Sequence, residues 1–85
     1  MARSVFTDAY ALMISVLTRL RKEQAVSQAE LARRLGRTQQ FISYVENCER
    51  RIDVVEFYAI VMALNADPKA VFAEVVDALP DKVEI

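Results

Sequence analysis

In its 85 residues the chain has no histidine, no tryptophan, one cysteine (Cys48), one glycine (Gly36) and two prolines (Pro68 and Pro80). Each scarcity excludes something. A single thiol cannot form an internal disulfide, so packing alone must hold the chain, and a lone cysteine fits a reducing compartment. The common zinc sites need several Cys or His ligands, which this sequence does not contain, and no metal or cofactor is expected. The missing histidine also removes the usual general base. There is no glycine-rich phosphate loop and no evident carboxylate pair, so the sequence does not read as an enzyme. No charge-free run is longer than Ala9 to Thr18, which falls well short of the roughly 20 residues that span a bilayer. The opening MARSVFTDAY lacks the pattern of a secretory signal.

What remains is rich in Ala, Leu, Arg and Glu, and that composition with so few turn residues predicts an all-α domain. The length suits one domain, whose small size lets it bury only about 60% of its unfolded surface. Five helices are expected. The first, about residues 7–23, has Phe6, Tyr10, Met13, Ile14 and Leu17 at helical spacing. Ser27 and Glu30 form a capping-box pattern that opens a second helix, with Leu31 and Leu35 inward and Arg33 and Arg34 outward. Gly36 follows its end, where a left-handed residue is usual. Thr38 caps a third helix whose Ile42 and Val45 face one way. Asp53 and Glu56 repeat the capping-box pattern to open a fourth, about residues 54–65, and Asp67-Pro68 opens a fifth, ending near residue 79.

The net charge of −1 looks unsuited to a polyanion, but it is unevenly spread. Residues 19–51 carry eight basic side chains against four acidic ones, a net +4, which leaves −5 for the rest. A basic middle between acidic ends suits either a local polyanion site or a solvated helical surface.

The stretch SQAELARRLGRTQQFISYVEN, residues 27–47, is a helix, a tight Gly-containing turn and a second helix. With its surroundings it resembles the phage-repressor/Cro type of helix-turn-helix domain, also called the xenobiotic-response-element (XRE) type. The resemblance covers residues 20–65 and rests on Gln28, Leu31-Ala32, Leu35-Gly36, Ile42-Ser43, Glu46-Asn47 and Ala63-Leu64; the pairing of TQQ with a later EN is close to certain lambdoid phage repressors. It implies a compact, five-helix, lambda-repressor-like DNA-binding domain that takes up residues 1–85.

The resemblance implies that Gln39, Gln40 and Tyr44 face DNA bases. Adenine in the major groove offers an acceptor and a donor side by side, which one glutamine amide matches with both of its ends. Tyr44 departs from the relatives, which often carry an amide there; its ring could lie on a thymine methyl or its hydroxyl could reach a phosphate. Phe41 either packs beneath the turn or touches a thymine methyl. By the same resemblance Gln28, Thr38, Ser43 and Asn47 contact the DNA backbone, to which Arg37 and Arg50 are added from charge and position. Contacts of that kind set register and affinity without reading sequence. Arg33 and Arg34 read as solubilising charges. In phage repressors an Arg of the first helix pairs with a Glu late in the recognition helix, and Arg21 and Glu46 match that pattern. Relatives usually place Gly where this chain has Cys48, so either Asn47 turns left-handed or the loop takes another path. Neighbouring Arg50 and Arg51 could also lower the pKa of the thiol and make it a redox sensor, or Cys48 is a passive small residue.

The apolar surface exceeds the needs of one small core. The first helix has a second stripe of Val5, Ala9, Leu12 and Val16, the fourth is apolar nearly all round, and the fifth adds Val71, Phe72, Val75, Val76 and Leu79. A helix that is apolar all round must be covered, either by the first helix folding back or by a second copy of the chain. Phe72, Val75, Val76 and Leu79 are the dimer-interface candidates, with the fourth helix and part of the first contributing. The expectation is a cytoplasmic homodimer, nucleoid-associated when bound, that regulates transcription on a palindromic operator in double-stranded DNA, most simply by repression. With no separate effector domain in view, control by abundance, autoregulation or a partner protein is expected. The alternative is a protein-interaction module of the same fold, such as an antitoxin or coactivator.

Overall fold

A computed structural model describes residues 8–85. Five helices run in order: α1 Asp8–Glu23, α2 Gln28–Leu35, α3 Gln39–Glu46, α4 Val54–Ala63 and α5 Pro68–Ala78. The described residues form no strand. The expected start of α1 at Thr7, together with Val5 and Phe6, lies outside the described residues. α2 packs on α3 and α4, while α1 lies against α3 and α5 and α5 closes on α4. The core draws on every helix, with Ile14, Leu17, Leu31, Ile42, Ile60, Val61, Leu64 and Val75 at its centre.

Helix starts follow side-chain chemistry. The side chains of Ser27, Thr38, Asp53 and Asp67 each accept an amide hydrogen from the first turn of their helix, satisfying a donor that has no partner inside the helix. Only one of the two expected capping boxes closes in both directions. Asp53 accepts from the Glu56 amide at 2.7 Å and Glu56 accepts from the Asp53 amide at 2.9 Å. At the other, Ser27 accepts from the Glu30 amide, but the Glu30 carboxylate turns away to Arg33 and Arg34. Two guanidiniums outcompete one backbone N–H because they bring three N–H donors and full positive charge to the carboxylate, where the amide brings one neutral donor. They hold Glu30 down to a pKa of about 2.

Four helices end the same way. Ala25, Gly36, Cys48 and Asn65 all take positive φ, between 56° and 67°. The amides of each of these residues and of the next one bond back into the last turn, as in Ala25 to Lys22 with Val26 to Arg21 and Cys48 to Val45 with Glu49 to Tyr44. This is the Schellman arrangement, closed with glycine once and without it three times. The structure thus corrects the expectation at Cys48. Asn47 keeps φ −87°, and Cys48 itself is left-handed at φ 59°. The thiol is half-buried, and burial raises its pKa, the opposite of the shift that a redox-sensing thiolate needs.

Each non-glycine residue in that conformation costs roughly 1–2 kcal/mol. Ala25 is exposed, so a glycine there loses no packing. Ala25→Gly is expected to stabilise the chain by about 0.5–1 kcal/mol, after allowance for the greater freedom of glycine in the unfolded chain. The urea midpoint should rise; an unchanged or lower midpoint would show that the turn carries no such strain.

The helix faces sort the surplus apolar residues. Val16, of the expected second stripe, is buried, while Leu12 is exposed. On α4, Phe57, Ile60 and Val61 face inward, and Val54, Val55, Tyr58 and Met62 face out. On α5, Val71 and Val75 are core residues and Phe72 and Val76 are about half exposed. Val75, expected as a dimer contact, is only 2% exposed within the single chain. It is used by the chain's own core, and the α5 candidates narrow to Phe72 and Val76, with Leu79 half-buried beside them.

Candidate nucleic-acid interface

The α2–α3 unit is set by its turn. Gly36, at φ 67°, reverses the chain, Arg37 donates its amide to Ala32 O at 2.9 Å, and Thr38 starts α3 two residues after the glycine. Ile42 and Val45 anchor α3 in the core at 1% and 3% exposure. The other face of the helix is then fixed by the 3.6-residue repeat. Gln39, Gln40, Tyr44 and Asn47 are exposed, and Ser43 is half-buried. Eight residues make a helix of about 12 Å, on the scale of the roughly 12 Å wide major groove.

The back of α3 is held by ionic contacts. The Arg21 guanidinium donates to both oxygens of Glu46, at 2.6 and 2.9 Å, and to Val26 O at 2.8 Å. Their side chains are 9% and 11% exposed, so the pair fastens α3 to α1 out of water. Gln28 completes it by donating Nε2 to Glu46 at 2.9 Å. Gln28, expected at the DNA backbone, thus also holds the carboxylate that fastens α3 to α1.

Phe41 packs against the core and carries two arginines. The Arg37 guanidinium lies 4.0 Å from its ring centre and that of Arg50 4.8 Å, both within cation–π range. The two arginines differ in what else they touch. Arg50 grips Glu56 through two hydrogen bonds, at 3.1 and 3.0 Å, and donates to Arg51 O at 2.6 Å. Arg50 and the Asp53 amide together hold the Glu56 carboxyl below its usual range. Three donations of the Arg50 guanidinium go to groups of its own chain, while its side chain remains 39% exposed. Arg37 is exposed, makes no ion pair among the described residues and stands next to Thr38. The loop between α3 and α4 is pinned from below, where the buried Tyr10 hydroxyl accepts the Ile52 amide at 3.0 Å and Arg51 lies 4.5 Å over the same ring.

Several roles were invisible in the sequence. Arg34 has a structural task, donating to Ala63 O at 2.8 Å and so satisfying a terminal carbonyl of α4. Arg19 pairs with Glu74 across α1 and α5. On the exposed side of α3, Gln40 donates Nε2 to the Tyr44 hydroxyl at 2.9 Å, while Gln39 makes no side-chain hydrogen bond among the described residues. Of the basic residues in the middle of the chain, Arg19, Arg21, Arg33, Arg34 and Arg50 are all paired with carboxylates.

Comparison with known proteins agrees with this geometry. The family model described as a helix-turn-helix domain matches residues 15–75. A solved structure, an XRE-family like protein from Pseudomonas syringae pv. tomato, is similar to this chain with a TM-score of 0.79 and 38% sequence identity, over 85% of this chain and 88% of its own. No curated protein matches the sequence.

Proposed function

Because the chain belongs to the XRE-type helix-turn-helix family of DNA-binding regulators, which is not an enzyme family, we propose that it represses transcription as a homodimer on a palindromic operator. α3 enters the major groove, Gln39 and Gln40 read bases, and Arg37, Ser43, Asn47 and the amide end of α3 at Thr38 meet phosphates. The observation that carries this reading is the exposed polar face of α3. A helix whose outward residues are two adjacent amides, a tyrosine and an asparagine is ill suited to packing and well suited to base edges and phosphates. Repression follows because a DNA-binding domain seated on a promoter blocks access without further parts. The exposed Phe72 and Val76 of α5 and Tyr58 of α4 support a dimer, since these apolar side chains remain uncovered among the described residues.

Gln40→Ala tests the readout. It is expected to cost about 1–3 kcal/mol on the preferred operator and to relax preference at one base position in each half-site. Binding to the operator and to its single-base variants should be measured side by side. An equal loss on all of them would make Gln40 a backbone contact.

One feature favours a second reading. Between α4 and α5 an open apolar groove of about 530 Å³ is lined by Val54, Phe57, Tyr58, Pro68 and Phe72. A chain that held a partner protein there, as an antitoxin or coactivator would, could do so with or without DNA.

A further inference from the structure

The hydrogen bond between Gln40 and Tyr44 bears on how α3 reads sequence, and the inference rests on the reading of α3 as a recognition helix. Residues four apart on a helix lie one above the other on the same face. The Gln40 Nε2 to Tyr44 hydroxyl distance of 2.9 Å is that of a good hydrogen bond. Both side chains are exposed, Tyr44 at 42%, so neither is held there by burial. The backbone beneath them is fixed, because Thr38 caps the helix through the Phe41 amide and Ile42 and Val45 lock its inner side.

A planar amide has two N–H bonds. One points to the same side as Oε1, and that edge is the one that pairs with adenine N6 and N7. The other points away from it. We propose that Tyr44 takes this outer N–H and so acts as a positioning residue: it fixes the amide of Gln40 with its adenine-matching edge toward the groove. With Nε2 anchored on a hydroxyl, rotation that exchanges the donor and acceptor ends of the amide breaks a hydrogen bond. Gln39, one residue earlier, has no such anchor among the described residues. The base read by Gln40 is therefore the more strictly specified of the two, and Tyr44 contributes to specificity through Gln40 while its own O–H remains to donate to a phosphate or to water. The free chain already holds the reading geometry, so less side-chain freedom is lost on binding.

The test compares wild type, Tyr44→Phe, Gln40→Ala and the double variant on the preferred operator and on duplexes carrying each base at every half-site position. Tyr44→Phe keeps the ring and removes only the hydroxyl. Its preference for adenine at the position relaxed by Gln40→Ala is expected to fall about 3- to 10-fold, the scale of one hydrogen bond. Other positions should be unchanged, and the double variant should discriminate no less than Gln40→Ala alone. If Gln40→Ala relaxes one position and Tyr44→Phe leaves that position intact, or relaxes a different one additively, the positioning role is wrong and Tyr44 acts independently. If Gln40→Ala itself relaxes no position, the recognition-helix assignment of Gln40 fails, a result distinct from the first.

Discussion

Replacing Glu46 with Ala is expected to destabilise the chain by about 3–5 kcal/mol, the cost of leaving one member of a buried ion pair without its partner. Arg21 would keep only the Val26 carbonyl for a guanidinium whose side chain is 9% exposed, and arginine cannot shed its proton to escape the burial. A domain of this size has little to spare, since small domains sit at the low end of the usual 5–15 kcal/mol. Much of the variant should be unfolded at 37 °C, and the rest should bind DNA poorly because α3 is no longer fastened to α1. Urea denaturation followed by helical signal measures the loss. Replacing both residues, Arg21→Met with Glu46→Leu, should recover most of it, because a well-packed apolar pair removes the stranded charge. A loss below about 1 kcal/mol for Glu46→Ala would show that the pair behaves like an exposed one. The pair between Glu30 and Arg33, in which Arg33 is 71% exposed, is the natural contrast and should matter far less.

The second large effect is on binding. If two subunits together neutralise about six to eight phosphates, log K should fall against log salt with a slope of about −5 to −7. That amounts to a loss of roughly 10³- to 10⁴-fold between 50 and 200 mM salt. The slope is moderate for a concrete reason. Of the eight basic residues between positions 19 and 51, at least five are engaged with carboxylates of the same chain, and an arginine already holding a carboxylate contributes little to counterion release. Arg37 is the cation best placed beside α3, and Arg37→Ala should reduce the slope of the dimer by about 2, one phosphate per subunit. Nearly flat salt dependence would turn attention to the α4–α5 groove and a partner protein.

The starts of the helices were legible because a cap is side-chain chemistry at a fixed offset, as at Thr38 and Asp53. Their ends were less so. Gly36 announces a left-handed turn, whereas Ala25 and Cys48 take the same conformation with no residue type that favours it; after Ala25 the next residue, Val26, is buried, while after Cys48 the next, Glu49, is exposed. The division of α5 was likewise hidden, since Val75 and Val76 are chemically identical and only the seating of the helix on α1 and α4 tells core from surface. In the site, the exposed face of α3 followed from the inward spacing of Ile42 and Val45. The engagement of Arg50 did not, because its partner Glu56 lies across a loop whose path the sequence does not dictate. Nor did the bond from Gln40 to Tyr44, since an i,i+4 spacing permits such a contact without requiring it.

In the proposed function, α3 reads base sequence as one of a symmetric pair. Recovering the duplexes that the purified chain selects from a random pool, and repeating the selection with Gln39→Ala/Gln40→Ala, puts this to the test. The wild type should enrich a two-fold-symmetric sequence with half-site centres about 10 bp apart, the spacing that puts two recognition helices on one face of the DNA roughly 34–36 Å apart. Each half-site should contain a strongly preferred adenine that the double variant no longer selects. Enrichment of no sequence, or of the same sequence by both proteins, would show that the two glutamines of α3 do not read bases.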